Sequence, residues 1–263
     1  MTKEEILVHV DHTLLKAVSA WDEIQTLCEE AIENHTASVC IPPSYVKRVS
    51  KAYGDKLNVC TVIGFPLGYN TTETKVYETQ KALADGAGEV DMVVNLGDVK
   101  NGEFPKITRE IEAVKKAAGN HVVKVIIETC YLTEDEKREL CKCVTDGGAD
   151  YIKTSTGFGT AGARIEDVRL FKRYIGEGVK IKAAGGVLFI CADHGNAEVM
   201  VDEATGEPWT AHTTNQVPFI LVGADPAYKL REGGRLCDIV PTLIELMGLE
   251  KPKEMTGESL LVK

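Results

Sequence analysis

The chain has 263 residues, 44% of them hydrophobic and 27% charged, with a formal net charge of −10. That length and balance describe a globular protein with a sizeable core, built as one large or two modest domains. The excess of acid argues against a general nucleic-acid binder, which needs Lys and Arg to neutralise phosphates, but a small phosphorylated ligand needs only local donors.

The opening MTKEEILVHVDHTLL lacks the charged-then-apolar layout of a secretion signal, and no apolar run approaches the roughly 18–20 residues of a membrane span. A cytoplasmic protein without a membrane partner is expected. Eight cysteines, at 28, 40, 60, 130, 141, 143, 191 and 237, form no C-x-x-C pair. Several sit in apolar stretches such as SVCI and LFICAD, and they read as small buried residues in a reducing compartment.

Seven short apolar or β-branched runs follow: His9–Leu15, Ser38–Ile41, Val59–Phe65, Glu89–Asn95, Val122–Glu128, Tyr151–Ser155 and Lys180–Gly186. The intervals carry helical pattern. After the first run, SAWDEIQTLCEEAIENH sets Ile24, Leu27, Ala31 and Ile32 on one stripe behind Ser19 as a candidate cap. After the fourth, FPKITREIEAVKKAAG groups Ile107, Ile111 and Val114 and stops at Gly119. Such repetition predicts an α/β fold with a parallel sheet covered by helices. Seven units in this length suit a (β/α)8 TIM-type barrel better than an open doubly wound sheet, and no G-x-G-x-x-G follows the first strand.

The rhythm breaks after Gly185, Gly186 and Val187. LFICAD begins at once, with no room for the crossover of about a dozen residues that parallel neighbours need. Residues 188–263 have another texture: LFICADHGN, the turn-bearing DEATGEPW, a second run VPFILVG, and a helix LCDIVPTLIELMGL with Asp238 as candidate cap and Pro241 in its first turn. A domain boundary is placed at 187/188. VPFILVG, at 217–223, is expected to fill the missing eighth strand position, with 188–216 as an irregular crossover and the 236–248 helix as cover.

In a barrel, alternate strand positions face inward and the carboxy-terminal strand ends carry the site. ADYIKTSTGFG places Lys153 inside an apolar run, KIKAAGGV does so for Lys182, and GEVDMVVN for Asp91. Burial and a neighbouring ammonium both disfavour a charged lysine, whose free pKa is about 10.4, and a neutral amine attacks carbonyls. A nearby carboxylate then moves protons on the adduct. The plain alternative is that the lysines snorkel to solvent and Asp91 pairs with one of them.

VDHTLL, SVCIPPSYV, TVIGFPLG, GEVDMVVNLG, KVIIET, YIKTSTGFG and IKAAGGV, in this order and spacing, resemble the deoxyribose-phosphate aldolase family over residues 1–187. The resemblance implies a class I lyase that reversibly cleaves 2-deoxy-D-ribose 5-phosphate to glyceraldehyde 3-phosphate and acetaldehyde. It needs no metal or other cofactor, its partner is a small phosphorylated sugar or aldehyde, and a homodimer is compatible with it. It implies Lys153 as the Schiff-base lysine, Lys182 as the lysine that depresses its pKa, and Asp91 as the proton-relay acid. The same resemblance implies that Asp11 and Cys40 line the pocket and that the Gly185 and Gly186 amides help hold the phosphate. Gly-Gly after a strand is equally a plain turn.

LFICADHGNAEVM, WTAHTTNQVPFILVG and LCDIVPTLIELMGLEKPKEMTGESL resemble the carboxy-terminal end of the cofactor-independent phosphoglycerate mutase family, over 188–263. That resemblance implies Asp193, His194 and His212 as remnants of a metal site suited to Mn or Zn. A two-metal phosphoryl-transfer centre also needs a second ligand set and a hydroxyl nucleophile, and only two of the six histidines follow residue 187. Incidental metal binding is the most expected there. The chain therefore reads as a chimera: an aldolase barrel without its family's eighth unit and phosphate turn, or, alternatively, an inactive fusion whose carboxy-terminal piece is scaffold.

Overall fold

The computed structural model describes residues 3–185, 188–191, 219–222, 228–246 and 251–262. The chain falls into two compact units, 1–186 and 187–263.

In the first unit a short helix α1 (Lys3–Leu7) precedes β1 (Asp11–Thr13), and strands then alternate with helices. The order is α2 (Trp21–Glu33), β2 (Ser38–Ile41), α3 (Pro43–Tyr53), β3 (Val59–Ile63), α4 (Thr72–Ala84), β4 (Glu89–Val93), α5 (Leu96–Lys100), α6 (Phe104–Ala118), β5 (Val122–Ile126), α7 (Glu134–Asp146), β6 (Tyr151–Lys153), α8 (Ile165–Tyr174) and β7 (Lys180–Lys182). The seven strands form one parallel sheet in sequence order, the layout of seven TIM-type units.

The helices begin and end where side-chain chemistry tells them to. Thr133 accepts from the Glu136 amide while the Glu136 carboxylate accepts from the Thr133 amide, a closed capping box at α7. Gly119 ends α6 at φ +59°, a left-handed turn that a side chain would strain. α2 starts at Trp21 with Ala20 as its cap, held by a 2.8 Å bond from the Ala20 amide to the Glu23 carboxylate. Ser19 lies one residue too early to cap it.

The two faces of the sheet differ in chemistry. One buries Val39, Ile41, Val59, Ile63, Val90, Met92, Val123, Val125 and Ile152 against the helical stripes, among them Ile24, Leu27 and Ala31 of α2 and Ile107, Ile111 and Val114 of α6. The opposite face carries a small apolar cluster of Cys40, Cys60 and Val62, backed by Leu15 and Phe65. Its other positions include Asp11, Asp91, Lys124 and Lys153, because side chains alternate along each strand.

A buried ion pair pins the outer helices to β4. Lys75 of α4 is 0% exposed, and its Nζ donates to Glu110 of α6 at 2.6 Å and to the Val93 carbonyl at 2.8 Å. Burial pushes Lys75 below and Glu110 above the usual range, each opposed by the other's charge.

The eighth position is not filled as expected. Phe219–Val222 (β9) pairs antiparallel with Leu188–Cys191 (β8) in a separate two-stranded sheet. Leu188–Cys191 and Phe219–Val222 thus satisfy backbone groups of each other. Among the described residues β1 and β7 remain the sheet's edges. The second unit also holds β10 (Lys229–Leu230), α9 (Ile239–Leu246) and β11 (Leu261–Val262), with β10 and β11 antiparallel. Asp238 does precede its helix, but its carboxylate turns back to accept from the Arg235 and Glu258 amides, both at 2.9 Å.

Lys75→Met strands the Glu110 carboxylate in the interior and is expected to cost about 3–5 kcal/mol in urea unfolding, whereas Lys75→Met with Glu110→Leu recovers most of that loss. Equal stability of the single and double variants would show that the pair carries no such burden.

Candidate active site

The inward positions of β1, β4, β5, β6 and β7 assemble a line of alternating charge. Lys182 Nζ lies 2.8 Å from Asp11 Oδ2, which is 3.5 Å from Lys124 Nζ. Lys124 donates to Asp91 Oδ1 at 3.0 Å, and Lys153 donates to Asp91 Oδ2 at 2.5 Å. Glu89 also pairs with Lys124. Three ammonium groups thus face three carboxylates, and the cluster is neutral overall.

The line is buried: Asp91 is 0%, Lys124 2% and Lys153 7% exposed. Burial alone would push the Asp91 carboxyl upward, but the Lys153 and Lys124 ammoniums overcome it and bring the pKa down to about 2. Burial likewise opposes the charge on Lys153, and Asp91 beside it reverses the sign, holding the ammonium above the ordinary lysine range. Lys124 is also held above the ordinary lysine range, against its burial, by the Asp91, Asp11 and Glu89 carboxylates. Asp11 is lowered, since Lys124 and Lys182 outweigh its desolvation.

The structure therefore brings Lys153, Asp91, Asp11 and Lys182 into one network, with Cys40 fully buried beside it. Lys182, the second lysine expected from the sequence, stands on the neighbouring strand β7. It is strand-paired with Lys153 in register, yet its Nζ turns to Asp11 and to the His9 carbonyl at 3.0 Å. The side chain of β7 thereby reaches the chain at β1.

Lys124 is the residue that sequence reasoning missed. VVKVI shows the same lysine-in-apolar-run signal as YIK and KIK, and register sets Lys124 directly opposite Asp91. Glu128 was missed as well. It is a buried non-glycine residue at φ +52°, a backbone state that costs on the order of 1–3 kcal/mol and gathers at functional sites. Its carboxylate accepts from the Thr156 amide at 3.2 Å and from the Thr156 hydroxyl, and so anchors the loop that follows Lys153.

That loop meets the end of β7. Gly185 has φ +67°, and a Cβ there would lie 3.2 Å from Gly157 Cα and 3.3 Å from Ser155 Cβ. Buried Ser155 Oγ has no hydrogen-bond partner among the described residues. Gly186, Asp193, His194 and His212 lie outside the described residues.

A buried amine, a carboxylate in contact with it and an adjoining glycine cradle are what carbonyl capture with proton transfer needs. The model of the DeoC/LacD family aldolases matches residues 5–207. The chain belongs to that family. Deoxyribose-phosphate aldolases of Clostridium botulinum (strain Alaska E43) and Clostridioides difficile (strain 630) are 63% identical over 187 residues and 59% over 184, covering 71% and 70% of this chain and 85% and 84% of theirs. Among solved structures, a deoxyribose-phosphate aldolase from Coccidioides immitis described as putative superposes with a TM-score of 0.67 at 37% identity, over 70% of this chain and 74% of that one. The deoxyribose phosphate aldolase from Aeropyrum pernix, described as tetrameric, gives 0.66 at 30%, over 70% and 79%. The seven-stranded parallel sheet is thus the family's TIM-type fold. Among the described residues no helix is long and apolar enough to cross a membrane.

Asp91 ties acid stability to this site. Its carboxyl titrates near 3.8 unfolded and near 2 folded, so the unfolded chain binds the proton first. A shift of that size is worth about 2 kcal/mol. The contribution is present above pH 4 and lost as pH falls toward 2. Unfolding free energies of wild type and Asp91→Asn, measured across that range, are expected to converge at the acid end; a constant gap would refute the assignment.

Proposed function

We propose that the chain is a Schiff-base aldolase that reversibly cleaves 2-deoxy-D-ribose 5-phosphate to glyceraldehyde 3-phosphate and acetaldehyde, with Lys153 as the nucleophile. The observation that carries this reading is the contact of the buried Lys153 amine with Asp91, while Lys124 occupies the other carboxylate oxygen.

Attack by the Lys153 amine on C1 of the open-chain sugar forms a carbinolamine, and loss of water leaves a protonated imine. Removal of the proton from the C3 hydroxyl breaks the C2–C3 bond. Its electron pair passes to the imine nitrogen as an enamine, and glyceraldehyde 3-phosphate departs. Protonation at C2 and hydrolysis then release acetaldehyde. The imine is the electron sink, so the chemistry calls on no metal. Asp91, directly or through water, relays each proton.

The resting ammonium cannot attack. Burial already disfavours its charge, and Asp91 supplies most of what opposes that. When substrate draws Asp91 away toward its hydroxyl and toward Lys124, Lys153 is left desolvated near another cation, and its pKa falls. Opening the ion pair is the activating step. Lys182 and Asp11 hold β7 to β1 and close the pocket wall. Gly185, with Gly186 after it, and the Glu128-anchored loop offer the phosphate its cradle.

Residues 188–263 we read as a fragment of phosphoglycerate-mutase type, on the strength of ADHGN, TAHTTNQVP and the LCDIVPTLIELMGL helix, joined where the family's eighth unit would begin. Asp193, His194 and His212 would then be remnants of its metal site. Without the family's Gly- and Ser-rich turn, affinity for phosphorylated substrates is reduced relative to plain aldehydes. The acidic composition and the free state of the described cysteines suit a cytoplasmic setting.

Acetaldehyde followed by borohydride is expected to leave a reduced adduct on Lys153, found by peptide mass and absent in Lys153→Leu. Asp91→Asn is expected to keep that labelling at neutral pH while turnover drops by about 100- to 10,000-fold. Folded wild-type protein without an adduct on Lys153 would sink the mechanism. Loss of labelling in a folded Asp91→Asn variant would sink the activating role of the ion pair.

A further inference from the structure

Cys60 has no part in the reaction as derived, yet it is fully buried beside its centre. Cys40 and Cys60 are register partners on the adjacent parallel strands β2 and β3, and both project to the inner face. Cys60 Sγ lies 3.2 Å from Asp91 Oδ1, and Lys124 Nζ lies 3.4 Å from the same sulfur. One ligand atom each from Cys40, Cys60 and Asp91 falls within 4.8 Å of the others. Two sulfurs and a carboxylate oxygen this close together are the donor types of a thiophilic tetrahedral cation.

We propose that Cys40, Cys60 and Asp91 form a binding site for a thiophilic divalent cation such as zinc or cadmium, whose occupancy switches the aldolase off. Binding exchanges one divalent ion for two thiol protons, so charge in the pocket is conserved and no oxidant or reductant takes part. The metal with two thiolates and one carboxylate carries one net negative charge, and the Lys124 and Lys153 ammoniums already stand around it to offset that. The ion takes up the Asp91 carboxylate, whose Oδ1 lies beside Cys60 Sγ and whose Oδ2 accepts from Lys153. Only this inhibitory arm rests on the proposed aldolase activity; binding itself does not.

The test is a cadmium titration of the reduced, metal-free full chain, following thiolate-to-cadmium charge-transfer absorption, released protons and turnover together. One tight cadmium per chain is expected, with the intensity of two thiolates, two protons released, and turnover lost in parallel and restored by EDTA. Cys40→Ala and Cys60→Ala each remove a direct ligand, so the midpoint is expected to move by more than the roughly 100-fold that outer partners command. Cys237→Ser, an exposed position, leaves it unchanged.

No charge-transfer band in folded wild type, a one-thiolate intensity, or a band lost in Cys237→Ser would each overturn the site. So would an unshifted midpoint in both Cys40→Ala and Cys60→Ala. Should either variant fail to fold by circular dichroism, the wild-type thiolate and proton counts decide alone. Borohydride trapping of acetaldehyde on metal-free Lys153 separates the two claims. Cadmium binding without trapping would sink the aldolase reading and leave the site, whereas trapping without cadmium binding would do the reverse.

Discussion

Asp91 is a fully buried carboxylate with two ammonium groups against it, and much of the inner face is arranged to make that tolerable. An ion removed from water loses several kcal/mol of solvation, which only close, well-oriented partners return. Here the return is chained rather than paired: Asp91 leans on Lys124 and Lys153, Lys124 also on Asp11 and Glu89, and Asp11 on Lys182. The links come from five strands, with Asp91 and Glu89 both on β4. The curl of the sheet is thereby expressed in side chains as well as in backbone bonds, and Lys182, reaching Asp11 and the His9 carbonyl, joins its two edge strands.

The same arrangement explains why reactivity and stability are held by one group. Lys153 sits where burial favours the neutral amine and Asp91 favours the cation. Such a balance can be tipped by moving a single carboxylate, which is the activating step of the proposed mechanism. A soft cation held by Cys40 and Cys60 would compete for the same carboxylate, so the proposed catalysis and the proposed inhibition turn on one side chain. Outside the line, Lys75 and Glu110 repeat the principle, fixing the carbonyl of Val93 two residues beyond Asp91.

The second unit follows different rules. Its described strands pair antiparallel in two short ribbons, and Asp238 ties the start of α9 to the segment at Glu258. That is local closure, with 219–222 paired to 188–191, and among the described residues the parallel sheet has seven members.

Periodicity alone located all seven strands of the first unit, because a strand buried on one face against helices must be apolar there whatever the details. The residues Lys153, Lys182 and Asp91 stood out for the complementary reason, that a charge inside such a run has no cheap structural use. The motifs carried the family. Tertiary structure decided what depends on distance between strands. Lys124 is as conspicuous in VVKVI as Lys153 is in DYIKT, but only the register of β4 against β5 makes it the partner of Asp91. Lys182 is one strand from Lys153, yet a rotamer sends it to Asp11 instead. The left-handed Glu128 and the thiols of Cys40 and Cys60 gain meaning only when loops and neighbouring strands meet. Sequence set which groups are forced inside; the fold, through Coulomb terms that fall off over a few ångströms, set which of them speak to one another.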